Sequence, residues 1–222
     1  ELSVDLSAKV AGSVGGVAFA NTDILHYDGA TDTWSMLFDA SDVGITKNLN
    51  AFYRQDNSGS PDTFYLVLAA KQTVPGVGAV TPNDIIRFTP TSLGSNTAGT
   101  FAMFFDGSDV GLTTTGERID ALGMDGNRLL ISTTGAAKVP RSGGGNITAA
   151  DEDVIAFTPT ATGATTAGTW ATFFDGSTVA GLASENVVGF WDDPAGGNLV
   201  ISVLNAFNLS GVTGDSDDLI GL

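Results

Sequence analysis

The sequence predicts an all-β repeat protein of four-stranded antiparallel units. Three observations lead there: an internal repeat, apolar residues alternating at a period of two, and turn chemistry at every boundary. The 222 residues contain 29 Gly, 42% hydrophobic and only 15% charged residues, a turn-rich globular composition. A chain of this length suits one large β domain. Of its 25 acidic residues, 21 are Asp and 4 Glu, against 4 Lys and 5 Arg, giving a net charge of −16. Asp prefers turns, caps and hard-cation sites over helices.

The repeat is read directly from the letters. DIIRFTPTSLGSNTAGTFAMFFDGSDVGL, beginning at Asp84, returns 69 residues later as DVIAFTPTATGATTAGTWATFFDGSTVAGL, beginning at Asp153. A shorter copy, DILHYDGATDTWSMLFDASDVGI, begins at Asp23 with six residues lost from its first connection. Each copy continues into a third piece (Leu49, Ile119 or Val187) and a fourth (Leu66, Leu129 or Leu199). In the second piece Trp34, Met36 and Phe38 share a face, as do Phe101, Met103 and Phe105, and Trp170, Thr172 and Phe174. Leu37, Phe104 and Phe173 point the other way, so both faces are partly apolar and the strands lie between packed sheets. TAGT, FDGSD, MDGN and VPGVG punctuate the pieces.

The expected organisation is a single β-repeat domain over residues 1–222. Residues 22–82, 83–151 and 152–216 are three full repeats, residues 1–21 a partial repeat, and residues 217–222 the start of a further one. That makes about 14 strands in units that are β-propeller-like: three full repeats plus a split one. The strings FTPTSLGSNTAGTF, FFDGSDVGL and LLISTTG resemble repeats of uncharacterised secreted bacterial proteins of propeller-like character, over nearly the whole chain. The resemblance implies a fold and an extracellular location and brings no activity. TAGTW resembles the end of a sialidase Asp-box or a kelch turn, without the preceding Ser-x-Asp-x-Gly.

Two acidic groups are expected to converge on one rim. Asp23, Asp84, Asp153 and Asp218 open strand one, preceded by Thr22, Asn83, Glu152 and Asp217, with Asp151 adjacent. Asp39 and Asp42, Asp106 and Asp109, and Asp175 close strand two. Crowded carboxylates need compensation, and nine bases are few. Calcium is one answer; the other is that each Asp caps a turn through backbone amides. The metal candidates are Asp23, Asn83, Asp84, Asp106, Asp109, Asp151, Glu152, Asp153, Asp217 and Asp218.

No catalytic constellation emerges. Cysteine is absent, which excludes thiolate chemistry and disulfides, and the single His26 sits where other copies carry Arg87 and Ala156, an ordinary surface slot. Glu117 and Glu185 fit a glycosidase pair only weakly, because a catalytic acid repeated in each unit is odd; a solvated loop is the simpler reading. Trp34 and Trp170 repeat at a core position and read as packing, and with Trp191 they are the candidates for sugar stacking. Asn146 and Asn208 open glycosylation triplets that arise by chance, and Gly143 to Gly145 form a loop. The acidity argues against nucleic acid, and no stretch spans a bilayer.

The expected function is a non-catalytic extracellular structural or adhesive protein, calcium-stabilised and assembling with copies of itself head to tail through the split repeat. The alternatives are closure of the two ends within one molecule, or a piece of a longer array, which Glu1 in place of an initiator Met also fits. A secreted carbohydrate-active propeller, lectin-like or a glycosidase, is the alternative function.

Overall fold

A computed structural model describes residues 3–58, 61–193, 198–216 and 218–222, so Asp217 lies outside the described residues. The described chain is all β apart from four short 3-10 turns. It begins with β1 (Ser3–Ser7), the hairpin β2 (Gly12–Val14) and β3 (Val17–Phe19), then β4 (Ile24–Asp28) and β5 (Thr33–Phe38). Next come β6 (Leu49–Gln55), β7 (Thr63–Leu68), the hairpin β8 (Gln72–Val74) and β9 (Gly78–Val80), β10 (Ile85–Ser92) and β11 (Ala98–Phe105). The pattern returns as β12 (Ile119–Asp125), β13 (Arg128–Thr133), β14 (Ala137–Pro140), β15 (Asn146–Ala149), β16 (Val154–Ala161) and β17 (Ala167–Phe174). β18 (Val187–Asp193), β19 (Asn198–Val203), β20 (Phe207–Leu209), β21 (Val212–Gly214) and β22 (Ile220–Gly221) complete it.

Fourteen of these strands are the anticipated ones; the other eight form four small hairpins where loops were expected. The sheets also cut the repeat at a different place. Their orders are β1-β4-β5, β11-β10-β7-β6, β12-β13-β16-β17 and β18-β19-β22. Each four-stranded sheet therefore takes strands three and four of one copy and strands one and two of the next. The reason is the length and shape of the connections. Between strands four and one the chain folds into a compact hairpin and returns antiparallel beside its start, whereas after strand two a 3-10 turn carries it out of the sheet. Among the described residues the first sheet has no strand in the position of β6, and the last has none in the position of β11. β1 pairs antiparallel with β4, and β22 with β19.

The chain divides into two compact units, Glu1–Met103 and Phe104–Leu222. The first unit is centred on Phe38, Phe64, Phe88, Leu66, Leu68, Ile24 and Ile86, all essentially inaccessible. The edge of the Phe38 ring meets Phe88 at 5.1 Å between centroids. In the second unit Phe105, Phe157 and Trp170 repeat that cluster, and Val187, Ile201 and Val203 form another apolar group. Pro90 and Pro159 are tolerated because the pairing of β10 with β7 ends at Phe88 and that of β16 with β13 at Phe157. Gly99 and Gly168 are required: a Cβ would lie 2.6 Å from the Phe88 ring and 2.5 Å from the Phe157 ring, which lie across these glycines.

Candidate functional site: a rim of carboxylates

The strand-one aspartates do one job four times. The backbone N–H of Asp23, Asp84, Asp153 and Asp218 donates to the carbonyl three residues earlier, of Ala20, Thr81, Ala150 and Asp215. The Oδ2 of each then accepts the N–H of that same residue, at 2.7, 2.8, 2.8 and 3.0 Å. The turn is closed reciprocally, which fixes where strand one begins. The remaining oxygen reaches onward. Asp23 Oδ1 accepts the N–H of Ala40 at 3.1 Å, and Asp153 Oδ1 that of Gly176 at 2.9 Å. In these two copies a backbone amide joins the strand-one turn to the residue that follows Asp39 or Asp175.

The strand-two aspartates close the turns that lead into the 3-10 segments, and Asp106 and Asp175 are the N-caps of theirs. Oδ1 of Asp39, Asp106 and Asp175 accepts both the N–H and the hydroxyl of the serine two residues on, Ser41, Ser108 and Ser177. Three residues further, Asp42 and Asp109 reach the neighbouring sheet. Asp42 Oδ2 accepts the N–H of Thr97 at 2.9 Å, and Asp109 Oδ2 that of Thr166 at 2.8 Å. Each threonine answers: the Thr97 hydroxyl accepts the N–H of Asp39 and donates to Gly94 O, while Thr166 accepts from Asp106 and donates to Gly163 O. A short parallel bridge flanks each contact, Phe38 with Gly94 and Phe105 with Gly163. Thr97 and Thr166 are only 4% exposed. This Asp–Thr clasp fastens the end of one sheet to the far hairpin of the next, and it occurs twice. The third copy has Thr178 in place of the second aspartate, and its hydroxyl turns back to Asp175 O.

Among the described residues no group of three or more Asp, Glu or His side chains is placed to hold a metal. Asn83 is half-buried beside the Asp84 turn, and Asp151 is half-buried with its carbonyl accepting the N–H of Val187. Glu152 is buried; that burial, with Asp153, Asp151 and Asp175 around it, pushes its carboxyl above the usual range.

Two other residues differ from the sequence reading. Glu117 is buried, not a solvated loop residue: Oε2 accepts the N–H groups of Thr113 and Thr114, and Oε1 that of Lys138. Burial opposes its ionisation, but these amides outweigh it and hold the carboxyl below its ordinary value. Glu185 accepts a 3.3 Å bond from Ser184. His26 is not a plain surface residue. Its Nδ1 lies 2.6 Å from Asp5 Oδ1; Asp5 Oδ2 binds Arg54 at 2.9 Å, and Arg54 Nε binds Asp62 at 2.6 Å. Ser35 faces His26 across β5, completing a row with Asp5, but Ser35 is exposed on an open face and Asp5 is shared with Arg54. The row reads as a hydrogen-bonded His26–Asp5 contact tied into the ion pairs of Arg54 with Asp5 and Asp62. Cross-strand register alone could have found it. Trp170 is 3% exposed with its indole N–H on Val110 O, as a packing residue should be, whereas Trp191 is 59% exposed.

No protein-family model, curated protein or solved structure matches the chain.

Proposed function

We propose that this chain is a non-catalytic, extracellular structural module of propeller-like blades that associates with copies of itself head to tail. The observation that carries the reading is the use made of the repeated polar residues. Asp23, Asp153, Asp42, Asp109, Thr97 and Thr166 are committed to backbone groups that close turns or join sheets. Such a pattern rewards repetition of structure, whereas an active site needs one asymmetric constellation. The amide donors supply compensation of the kind that the sequence reading assigned to calcium. Self-association rests on the two three-stranded sheets, in which, among the described residues, β1 and β22 are edge strands where β7 and β10 are flanked on both sides. The two edges differ, and pairing between them is therefore heterologous and builds an open chain of molecules unless a rotation closes it.

Sedimentation velocity across a concentration series, with electron microscopy of the concentrated sample, tests this. The expected result is a mass that grows with concentration. Leu6, 45% exposed on β1, and Leu219, 63% exposed beside β22, mark the two edges, and Leu6→Lys or Leu219→Lys should suppress growth without lowering the melting temperature. A monomer at every concentration rules out the association.

A further inference from the structure

The joint between the last two sheets shows how one sheet seats on the next. Gly123, Leu130 and Ala156 stand in one row across β12, β13 and β16, and Phe190 of β18 lies on that row. Phe190 packs against Leu130 and Ala156, and a Cβ on Gly123 would come 2.6 Å from its ring. On its own sheet Phe190 stands in a row with Ile201 and Ile220. The joint is thus a glycine hole on one sheet and an aromatic knob on the other, with aliphatic residues beside both.

The last sheet repeats the receiving row on its opposite face, as the alternation of side chains along a strand requires. By position in the repeat, Trp191, Val200 and Gly221 correspond to Gly123, Leu130 and Ala156. Leu130 and Ala156 are buried, whereas Trp191 is exposed, Val200 is half-buried, and a Cβ on Gly221 would meet open space. The first sheet leaves the other half of such a joint uncovered. Leu6 and Leu25 pair across β1 and β4 where the last sheet has Ile201 and Ile220. Leu66, Ile131 and Ile201 are inaccessible, but Leu6, their counterpart, is exposed. Among the described residues this sheet has no strand in the place of β18, hence no residue in the place of Phe190.

We infer that a second copy of this chain covers the Trp191 face, its first sheet seated through Leu6 on Val200 and Gly221 as the last sheet is seated on the row of Gly123. The two faces complement each other in the feature that differs from the internal joint. The incoming sheet brings no aromatic knob, and the receiving sheet carries Trp191 where the internal joint has a glycine, so the ring fills that volume from the other side. Aromatic side chains desolvated within an interface are its usual anchors, and an exposed apolar patch marks such a contact. The two faces are unlike, so the contact is heterologous. It rests on the head-to-tail association proposed above and places that association on sheet faces; strand-edge pairing alone would leave Trp191 in water.

The intact protein labelled with fluorotryptophan tests this by ¹⁹F spectra and sedimentation velocity over one concentration series. Of its three tryptophan resonances, the one lost in Trp191→Phe should move with concentration in step with the mass, while that of buried Trp170 stays fixed. Trp191→Thr should weaken association by about tenfold or more at an unchanged melting temperature. Copies with Trp191→Thr and copies with Leu6→Lys should each be monomeric at concentrations where the parent grows. Their equimolar mixture should form one-to-one dimers, since each variant keeps one of the two faces. Growth of the parent with the Trp191 resonance unmoved, or growth undiminished in Trp191→Thr, overturns the inference and leaves association through the strand edges. A parent that is monomeric at every concentration overturns the association itself and the inference with it. A Trp191 shift produced by a neutral oligosaccharide at constant mass, with no shift on concentration alone, assigns the face to carbohydrate and also overturns it.

Discussion

Replacing Thr166 with Val keeps shape and volume but deletes one hydroxyl. That hydroxyl accepts the N–H of Asp106 at 2.8 Å and donates to Gly163 O at 2.9 Å, at a residue 4% exposed. Each lost hydrogen bond costs about 0.5–1.5 kcal/mol net, and a buried N–H left without an acceptor costs about 1–3 kcal/mol. The overlap of the two leaves roughly 2–4 kcal/mol for the substitution. For a chain of this size that corresponds to a fall of roughly 6–12 °C in Tm for a loss near 3 kcal/mol. Thr97→Val is an internal replicate, because Thr97 makes the same pair of bonds to Asp39 and Gly94. Urea unfolding of the intact variants measures both, and a lower midpoint at an unchanged slope identifies a stability effect. Combining Thr166→Val with Asp109→Ala should cost less than the sum of the single changes, since both break one clasp. If both valine variants stay within about 0.5 kcal/mol of the parent, the range of an ordinary surface change, the clasps do not hold the sheets together.

Gly99→Ala and Gly168→Ala drive a methyl group against the Phe88 and Phe157 rings and the carbonyls of Thr89 and Thr158; each should cost about 1–3 kcal/mol in thermal or urea melts. Glu117, with its folded-state pKa lowered, contributes stability that is present above the unfolded pKa and lost as pH falls through the folded value. Glu117→Gln should therefore cost about 1–3 kcal/mol at neutral pH, because an amide cannot accept at both positions, and should flatten the acid limb of a Tm-against-pH curve. Glu152 has the opposite sign: its pKa is raised, so its contribution falls as pH rises from the unfolded value through the folded one. Glu152→Gln should raise Tm at neutral pH, by an amount on the order of 1 kcal/mol or less, and leave it unchanged in acid.

Much of this architecture is legible in the letters, and the limits have physical reasons. The 69-residue offset and the two-residue alternation locate all fourteen main strands, because burial between sheets imposes both. Sheet membership is not visible that way: whether strand one pairs with the strand four before it depends on the hairpin joining them, and VPGVG looks like a loop until its three-residue strands pair. The acidic rim is foreseen as a place, but the partners of its carboxylates are not, because backbone amides leave no trace in a sequence. Thr97 and Thr166 were legible only as turn residues, although TAGT recurs at both. Asp5 pairs with His26 through register between β1 and β4, and Arg54 joins from β6, so no local pattern announces that network.

The central proposal is that backbone amides suffice to hold the rim carboxylates without a cation. Thermal melting of the purified protein in EGTA and in excess calcium, with elemental analysis of the same sample, tests it most directly. The account predicts coincident midpoints and no stoichiometric metal. A cation at about 100 times its Kd that binds only the folded state would instead add about 2.7 kcal/mol. A midpoint in calcium higher by the corresponding several degrees, lost when Asp23 or Asp153 is changed to Asn, would contradict it.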